Sequence, residues 1–63
     1  MYKVWEEIAE GFNTKWEVAE YATFRDAYIA YYRRYNNPRF KRLRKVVLVD
    51  CTVYSKVLFE HYM

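Results

Sequence analysis

Thr23-Phe24-Arg25-Asp26-Ala27 decides the fold of this chain, because these residues mark the start of a helix in the middle of the sequence. A threonine at the N-cap accepts a backbone hydrogen bond from the first turn, and an acid three residues later completes a capping box. That acid, Asp26, also favours the positive end of the helix dipole. We therefore predict a helix that begins at Phe24.

The residues after this cap repeat apolar side chains at three- and four-residue spacing, as one buried helix face does. The predicted inward face consists of Phe24, Ala27, Tyr28, Tyr31 and Tyr35. Asn36-Asn37-Pro38 ends the helix, since asparagine tolerates the left-handed closing conformation and the residue before a proline resists the helical region. The pattern predicts a helix over residues 24–36.

The segment from Lys45 to Cys51 predicts a strand, because it is β-branched and too short to favour a helix. Its valines and leucine alternate onto both faces, so both sides of this strand should be covered. A turn at residues 52–55 and a returning strand from Lys56 to Tyr62 complete a hairpin. The helix covers one side, and we expect a second copy to cover the other.

The first 22 residues allow two interpretations. As strands, Tyr2 to Ala9 and Lys15 to Tyr21 form a hairpin around residues 10–13. Glu6 and Glu20 interrupt its apolar alternation, which indicates a bulge or a sheet surface that faces a partner. We favour strands, because an isolated carboxy-terminal hairpin is marginal in water.

As helices, the same residues form an apolar stripe that ends near Gly11, followed by a second capping box at Thr14 and Glu17. The stripe consists of Val4, Trp5, Ile8 and Phe12. The favoured hairpin gives an α+β fold, with a small antiparallel sheet, one helix packed on it and the order ββαββ. We expect a single domain over residues 1–63.

Positive charge is concentrated in one part of the chain. Residues 27–49 carry seven basic residues and no acid, whereas residues 1–26 carry six acids against three bases. Aromatic side chains lie among these cations, and arginines beside aromatic rings are typical of interfaces and of base-stacking surfaces. Loops such as the one after Pro38 often carry binding residues, and we expect this loop to be the part of the basic segment least committed to the core.

The predicted binding residues are the seven cations and the two rings expected to be most exposed. They are Tyr32, Arg33, Arg34, Arg39, Phe40, Lys41, Arg42, Arg44 and Lys45. The simpler interpretation is a solubilising face whose aliphatic stems cover apolar rings.

The sequence contains few of the residues that catalysis or metal binding requires. One cysteine and one histidine give neither a disulfide nor a structural metal site, and a single glycine gives no phosphate-binding loop. With Cys51 opposite Lys56 and His61 opposite Val46, the thiol and the imidazole should not meet. We expect no enzyme and no cofactor. No targeting signal or membrane span is visible, which predicts a cytoplasmic protein.

The succession Trp16-Glu17-Val18-Ala19-Glu20-Tyr21-Ala22-Thr23-Phe24-Arg25-Asp26-Ala27 runs from a strand into a helix capped by T-x-x-[D/E]-A. It resembles small bacteriophage proteins that disable host enzymes, in particular the host RNA polymerase inhibitor of T7-like phages. That inhibitor is acidic, unlike residues 33–45 here. The resemblance implies a short, non-catalytic protein that docks on a host factor in the bacterial cytoplasm.

The expected function is therefore inhibition of a bacterial host enzyme or ribonucleoprotein, by docking of the basic and aromatic segment on an acidic surface. The alternative is direct binding of RNA or single-stranded DNA, in which the arginines contact phosphates and the rings stack on bases. We also expect a homodimer.

Overall fold

Five elements follow one another in the computed structural model, which describes residues 1–63. The strands are β1 (Tyr2–Glu10), β2 (Asn13–Tyr21), β3 (Leu43–Asp50) and β4 (Lys56–Tyr62), and the helix α1 (Phe24–Asn36) lies between β2 and β3. All neighbouring strands are antiparallel, in the order β2-β1-β3-β4. The predicted α+β class with the order ββαββ is confirmed.

The amino-terminal residues form the predicted hairpin, so the helical interpretation is wrong. The turn is Gly11-Phe12, and Gly11 has φ +62°, the one positive φ in the chain. A turn with positive φ only at its first central residue is type II′, and the twist of this turn matches that of the flanking strands. Glycine is favoured at that position because it adopts positive φ without strain. The tight turn lengthens both strands beyond their predicted ends.

Helix α1 begins and ends where predicted. Thr23 Oγ1 accepts a hydrogen bond from the Asp26 backbone N–H at 3.2 Å. The reciprocal bond of a capping box, from Thr23 N–H to the Asp26 carboxylate, is not formed. At the other end the Asn37 N–H donates to the Arg33 carbonyl at 2.9 Å. Asn37 has φ −138°, so the helix closes without the left-handed residue that we predicted.

The core lies between α1 and one face of the sheet. It consists of Val4, Ile8, Ala27, Tyr31, Leu43, Val46 and Leu48. The inward face of the helix is narrower than predicted, because Phe24 and Tyr28 remain 42% and 40% exposed. The aliphatic centre of the sheet, rather than the aromatic face of the helix, therefore supplies most of the buried side chains.

The carboxy-terminal hairpin has the predicted turn and returning strand. His61 pairs with Val46 as predicted, but Asp50 rather than Cys51 pairs with Lys56, because a register shift follows Leu48. The Asp50 carboxylate accepts hydrogen bonds from the Thr52 backbone N–H at 2.9 Å and from its hydroxyl at 2.7 Å. These bonds lower the pKa of Asp50 and hold the turn.

The second face of the sheet, opposite α1, is covered by no other part of the chain, and we call it the open face. Val47 and Val49 belong to it, and both are nevertheless buried, at 6% and 7% exposed. Trp5 lies beside Val47 in the register and contributes to this burial. The two-sided apolar character of β3 is thus visible in the structure.

Candidate functional site

The predicted cations meet at the end of the molecule where α1 stops and β3 starts. Two lie in the last turn of α1, three in the loop of residues 37–42 and one at the start of β3. We call this group the basic end; it consists of Arg33, Arg34, Arg39, Lys41, Arg42 and Arg44.

The loop that carries this group is fixed to the sheet. The Ala9 N–H donates to the Arg42 carbonyl at 3.0 Å, and the Leu43 N–H donates to the Phe40 carbonyl at 3.3 Å. Arg44 is the extra residue of a bulge, since Glu7 pairs with Lys45 and Ile8 pairs with Leu43. A bulge redirects a side chain away from the regular ladder. The backbone thus holds the cations in place before any partner binds.

Two of the arginines are tied to a buried acid. The Glu6 side chain is 2% exposed, and its Oε1 accepts hydrogen bonds from Arg34 Nε at 3.1 Å and from Arg39 Nη2. A carboxylate can be buried at acceptable cost only when it is paired and hydrogen-bonded. Glu6 therefore interrupts the apolar alternation because it neutralises two arginines over the core, and it does not face a partner.

Arg34 and Arg39 differ in how much of their side chains solvent can reach. Arg34 is 16% exposed, and its Nη1 also donates to Tyr21 Oη at 3.0 Å. Arg39 is 55% exposed and lies 5.2 Å from the centre of the Phe40 ring. The hydrogen bond to Glu6 raises the pKa of Arg39 further above its ordinary value, so its charge is permanent. The loop is therefore tied to the buried acid at Arg39.

A groove of about 830 Å³ opens between α1 and the end of β2. Its lining residues are Tyr21, Asp26, Ile29, Ala30, Arg33, Arg34, Asn36, Asn37 and Arg39. Three arginines and two asparagines thus line one open concavity, which contains a single acid, Asp26. Such a lining suits carboxylates or phosphates, which arginine binds through paired N–H donors.

The remaining cations of the basic end have no acidic partner. Arg33, Lys41, Arg42 and Arg44 are exposed and form no ion pair within 4.0 Å. Lys45 is different, because its amine lies 3.6 Å from Glu60 and 5.2 Å from the centre of the Tyr62 ring on the open face. The structure therefore separates Lys45 from the other predicted binding residues.

The two predicted aromatic anchors also differ. Tyr32 is 47% exposed and meets Tyr35 edge-on, with ring centroids 5.4 Å apart. Phe40 is half-buried and packs against the core, so it holds the loop rather than presenting a free ring. Phe12, which was not among the predicted binding residues, is fully exposed at the tip of the β1–β2 hairpin, at the same end as Arg42. Its position in a two-residue turn was the available signal.

No protein-family model, curated protein or solved structure matches this chain. The one cysteine and the one histidine have different neighbours. The thiol of Cys51 lies 4.0 Å from Ser55 Oγ, whereas the His61 ring stacks on Tyr35 with centroids 4.0 Å apart. No group of three or more His, Cys, Asp or Glu residues could hold a metal ion, and the helix is neither long nor apolar enough to cross a membrane.

Proposed function

We propose that this protein is a non-enzymatic binding protein that docks on an acidic surface of a partner protein through its basic end. One observation carries the proposal: four exposed cations without acidic partners lie on ordered backbone. Arg33 lies in the last turn of α1, and Lys41, Arg42 and Arg44 lie in the loop that hydrogen bonds fix to the sheet or at the start of β3. Because the backbone is already ordered, binding has to order only the side chains, and the unpaired charges steer encounter with an oppositely charged partner.

The groove beside the basic end strengthens this proposal. Glu6 and Tyr21 hold the guanidinium of Arg34 in one orientation, and several of its N–H groups remain without an acceptor. An acidic side chain of a partner would find fixed donors there. Phe12 supplies an exposed ring at the end of the molecule that carries Arg42, and Tyr32 supplies a second exposed ring on α1, where it precedes Arg33. Aromatic residues and arginines form the energetic centre of many protein interfaces.

The strand-to-helix junction that resembles phage inhibitors is built here from β2, the Thr23 cap and α1. We therefore propose a bacterial host enzyme or ribonucleoprotein as the partner, and inhibition by occlusion as the effect. A second candidate, direct binding of single-stranded nucleic acid, is favoured by the three arginines along one open groove, since such grooves track a phosphate backbone.

Capture from bacterial lysate separates the two candidates. The immobilised protein is incubated with lysate, with and without nuclease, and bound proteins are identified by mass spectrometry. The docking proposal predicts a captured protein that persists after nuclease treatment. Capture that disappears with nuclease, together with binding of a labelled single-stranded oligonucleotide that weakens steeply as salt rises, favours the nucleic-acid candidate instead.

A further inference from the structure

The open face of the sheet carries a cluster of apolar side chains among five charged ones. Its apolar side chains are Trp5, Trp16, Val18, Val47, Val49 and Val57. Trp16, Val18 and Val57 are exposed, and the rings of Trp5 and Trp16 meet edge-on at 5.7 Å. An antiparallel sheet covered on one side only commonly presents a polar second face, so this composition indicates that the face is covered in the assembled protein.

The charges on the open face are self-complementary, so that two copies of this face can pair opposite charges. One row across the four strands reads Trp16, Glu7, Lys45 and Tyr62, that is, aromatic, acid, base, aromatic. We propose that a second copy of this chain covers the open face, related by a two-fold axis that runs parallel to the strands between β1 and β3. Glu7 then faces Lys45 of the second copy, and Trp16 faces Tyr62 of the second copy.

The neighbouring row gives the apolar centre of this interface. It reads Val18, Trp5, Val47 and Glu60, so the same rotation places Trp5 over Val47 of the second copy. Each contact occurs twice, as an isologous interface requires. Lys3, Glu20 and Glu60 then oppose valines, and no like charges meet. A two-fold axis that runs across the strands, along this row, would instead place Glu60 of one copy against Glu60 of the second copy. The charges therefore favour the axis parallel to the strands.

The size of the face is sufficient for such an interface. The molecule is a slab with extents of 34 × 22 × 15 Å, and the sheet forms one broad side. The rectangle bounded by the two larger extents has an area of roughly 750 Å², which is of the same order as the ~800 Å² of accessible surface that each partner buries in a standard interface. A second copy aligned in this way covers the whole open face.

This dimer is independent of docking, because the basic end lies away from the open face. The parallel axis places the two basic ends at the same end of the dimer. Two docking sites that point in one direction bind a bivalent partner with higher avidity than a single site does. The proposed function and the dimer can therefore fail separately.

Charge-swap variants in sedimentation equilibrium at micromolar concentration test the proposal. Wild type is expected to be a dimer, whereas Glu7→Lys and Lys45→Glu each place like charges across the interface twice. Each variant alone should dissociate with a dissociation constant at least about tenfold higher. Glu10→Lys and Lys41→Glu make the same charge changes away from the open face and should leave the dimer intact.

The decisive sample is the equimolar mixture of Glu7→Lys and Lys45→Glu. Residues 7 and 45 are also register partners within each chain, so each variant carries two like charges side by side in its own sheet. Mixing the variants does not remove these like charges. Across the interface, however, a heterodimer restores both opposite-charge pairs. We expect the mixture to dimerise where each variant alone does not. Circular dichroism of each variant checks folding.

Trp16→Ala provides a second variant that is safe for folding, because Trp16 is exposed on an edge strand. It should weaken the dimer, while Tyr32→Ala, an equally exposed ring on the helix side, should not. A wild-type monomer at these concentrations would overturn the proposal. So would single swaps that dimerise like wild type, or a mixture that stays monomeric.

Discussion

Glu6 and Arg34, which are 28 residues apart in the chain, form an ion pair over the core, with Glu6 Oε1 accepting from Arg34 Nε at 3.1 Å. Arg39 donates to the same oxygen. The other carboxylate oxygen of Glu6 is buried without a hydrogen-bond partner. One buried acid thus fixes part of the cationic surface, and the stability of the fold and the geometry of the basic end depend on the same residue.

Glu6→Gln tests this coupling. The amide cannot neutralise two guanidinium groups. Removal of one partner from a fully buried ion pair costs about 3–5 kcal/mol, and because solvent reaches Arg39 and part of Arg34 we expect a cost of about 1.5–3 kcal/mol here. A small domain has a total stability of about 5–15 kcal/mol, so the urea midpoint should fall sharply. Glu17→Gln, which removes an exposed carboxylate 3.6 Å from Lys15, should cost less than about 1 kcal/mol. Equal midpoints for the two variants would contradict the structural role of Glu6.

Thr23→Ala removes the cap of the one helix. The lost hydrogen bond to the Asp26 N–H should cost about 0.5–2 kcal/mol and lower the Tm by several degrees. Thr14→Ala, in the exposed part of β2, serves as the control in the same thermal melts. An unchanged Tm for Thr23→Ala would show that the cap contributes nothing to stability.

Ionisation of the Tyr31 phenol makes the stability of the fold depend on pH in the alkaline range. Burial, with smaller contributions from Tyr35, Tyr28 and Glu60, raises the pKa of Tyr31 above its ordinary value of about 10. The folded state therefore retains the phenolic proton where the unfolded state loses it. This contribution is fully present below pH ~10 and is lost as pH rises through the folded pKa.

Denaturation at a series of pH values above ~9 measures this effect. The free energy of unfolding of wild type should fall more steeply with pH than that of Tyr31→Phe, which has no phenol to ionise. Tyr54→Phe, at an exposed turn position, should retain the wild-type slope. Parallel curves for wild type and Tyr31→Phe would remove Tyr31 as the cause.

The sequence predicts the elements of this fold because their signals are local. The Thr23 cap, the glycine of the first hairpin and the β-branched run of β3 each act within a few residues. The site is predicted less well, because its geometry depends on contacts between distant residues. The pairing of Glu6 with Arg39 spans 33 residues, and nothing near either residue indicates it.

The same limit explains the misplaced side chains. Lys45 follows the cations in sequence, but strand alternation turns it onto the open face towards Glu60. Phe40 lies in a polar loop, yet the bonds that tie the loop to β1 bring it against the core. The register shift after Leu48 makes Asp50, instead of Cys51, the partner of Lys56. Each of these is a consequence of tertiary packing.

Charge reversal at the basic end tests the central claim most directly. Arg39 is unsuitable because a glutamate there would face buried Glu6, whereas Arg42 and Arg44 are exposed and make no ion pair. The double variant Arg42→Glu/Arg44→Glu is compared with Arg25→Glu/Lys56→Glu, which changes the net charge equally at exposed positions elsewhere.

Capture of protein from nuclease-treated bacterial lysate is the measurement, with circular dichroism to confirm that each variant is folded. We predict that wild type and Arg25→Glu/Lys56→Glu capture the same partner. Arg42→Glu/Arg44→Glu should lose it, because like charges then face the acidic surface. If the folded Arg42→Glu/Arg44→Glu variant captures that partner as well as wild type does, the basic end is only a solubilising surface and the proposed function is wrong.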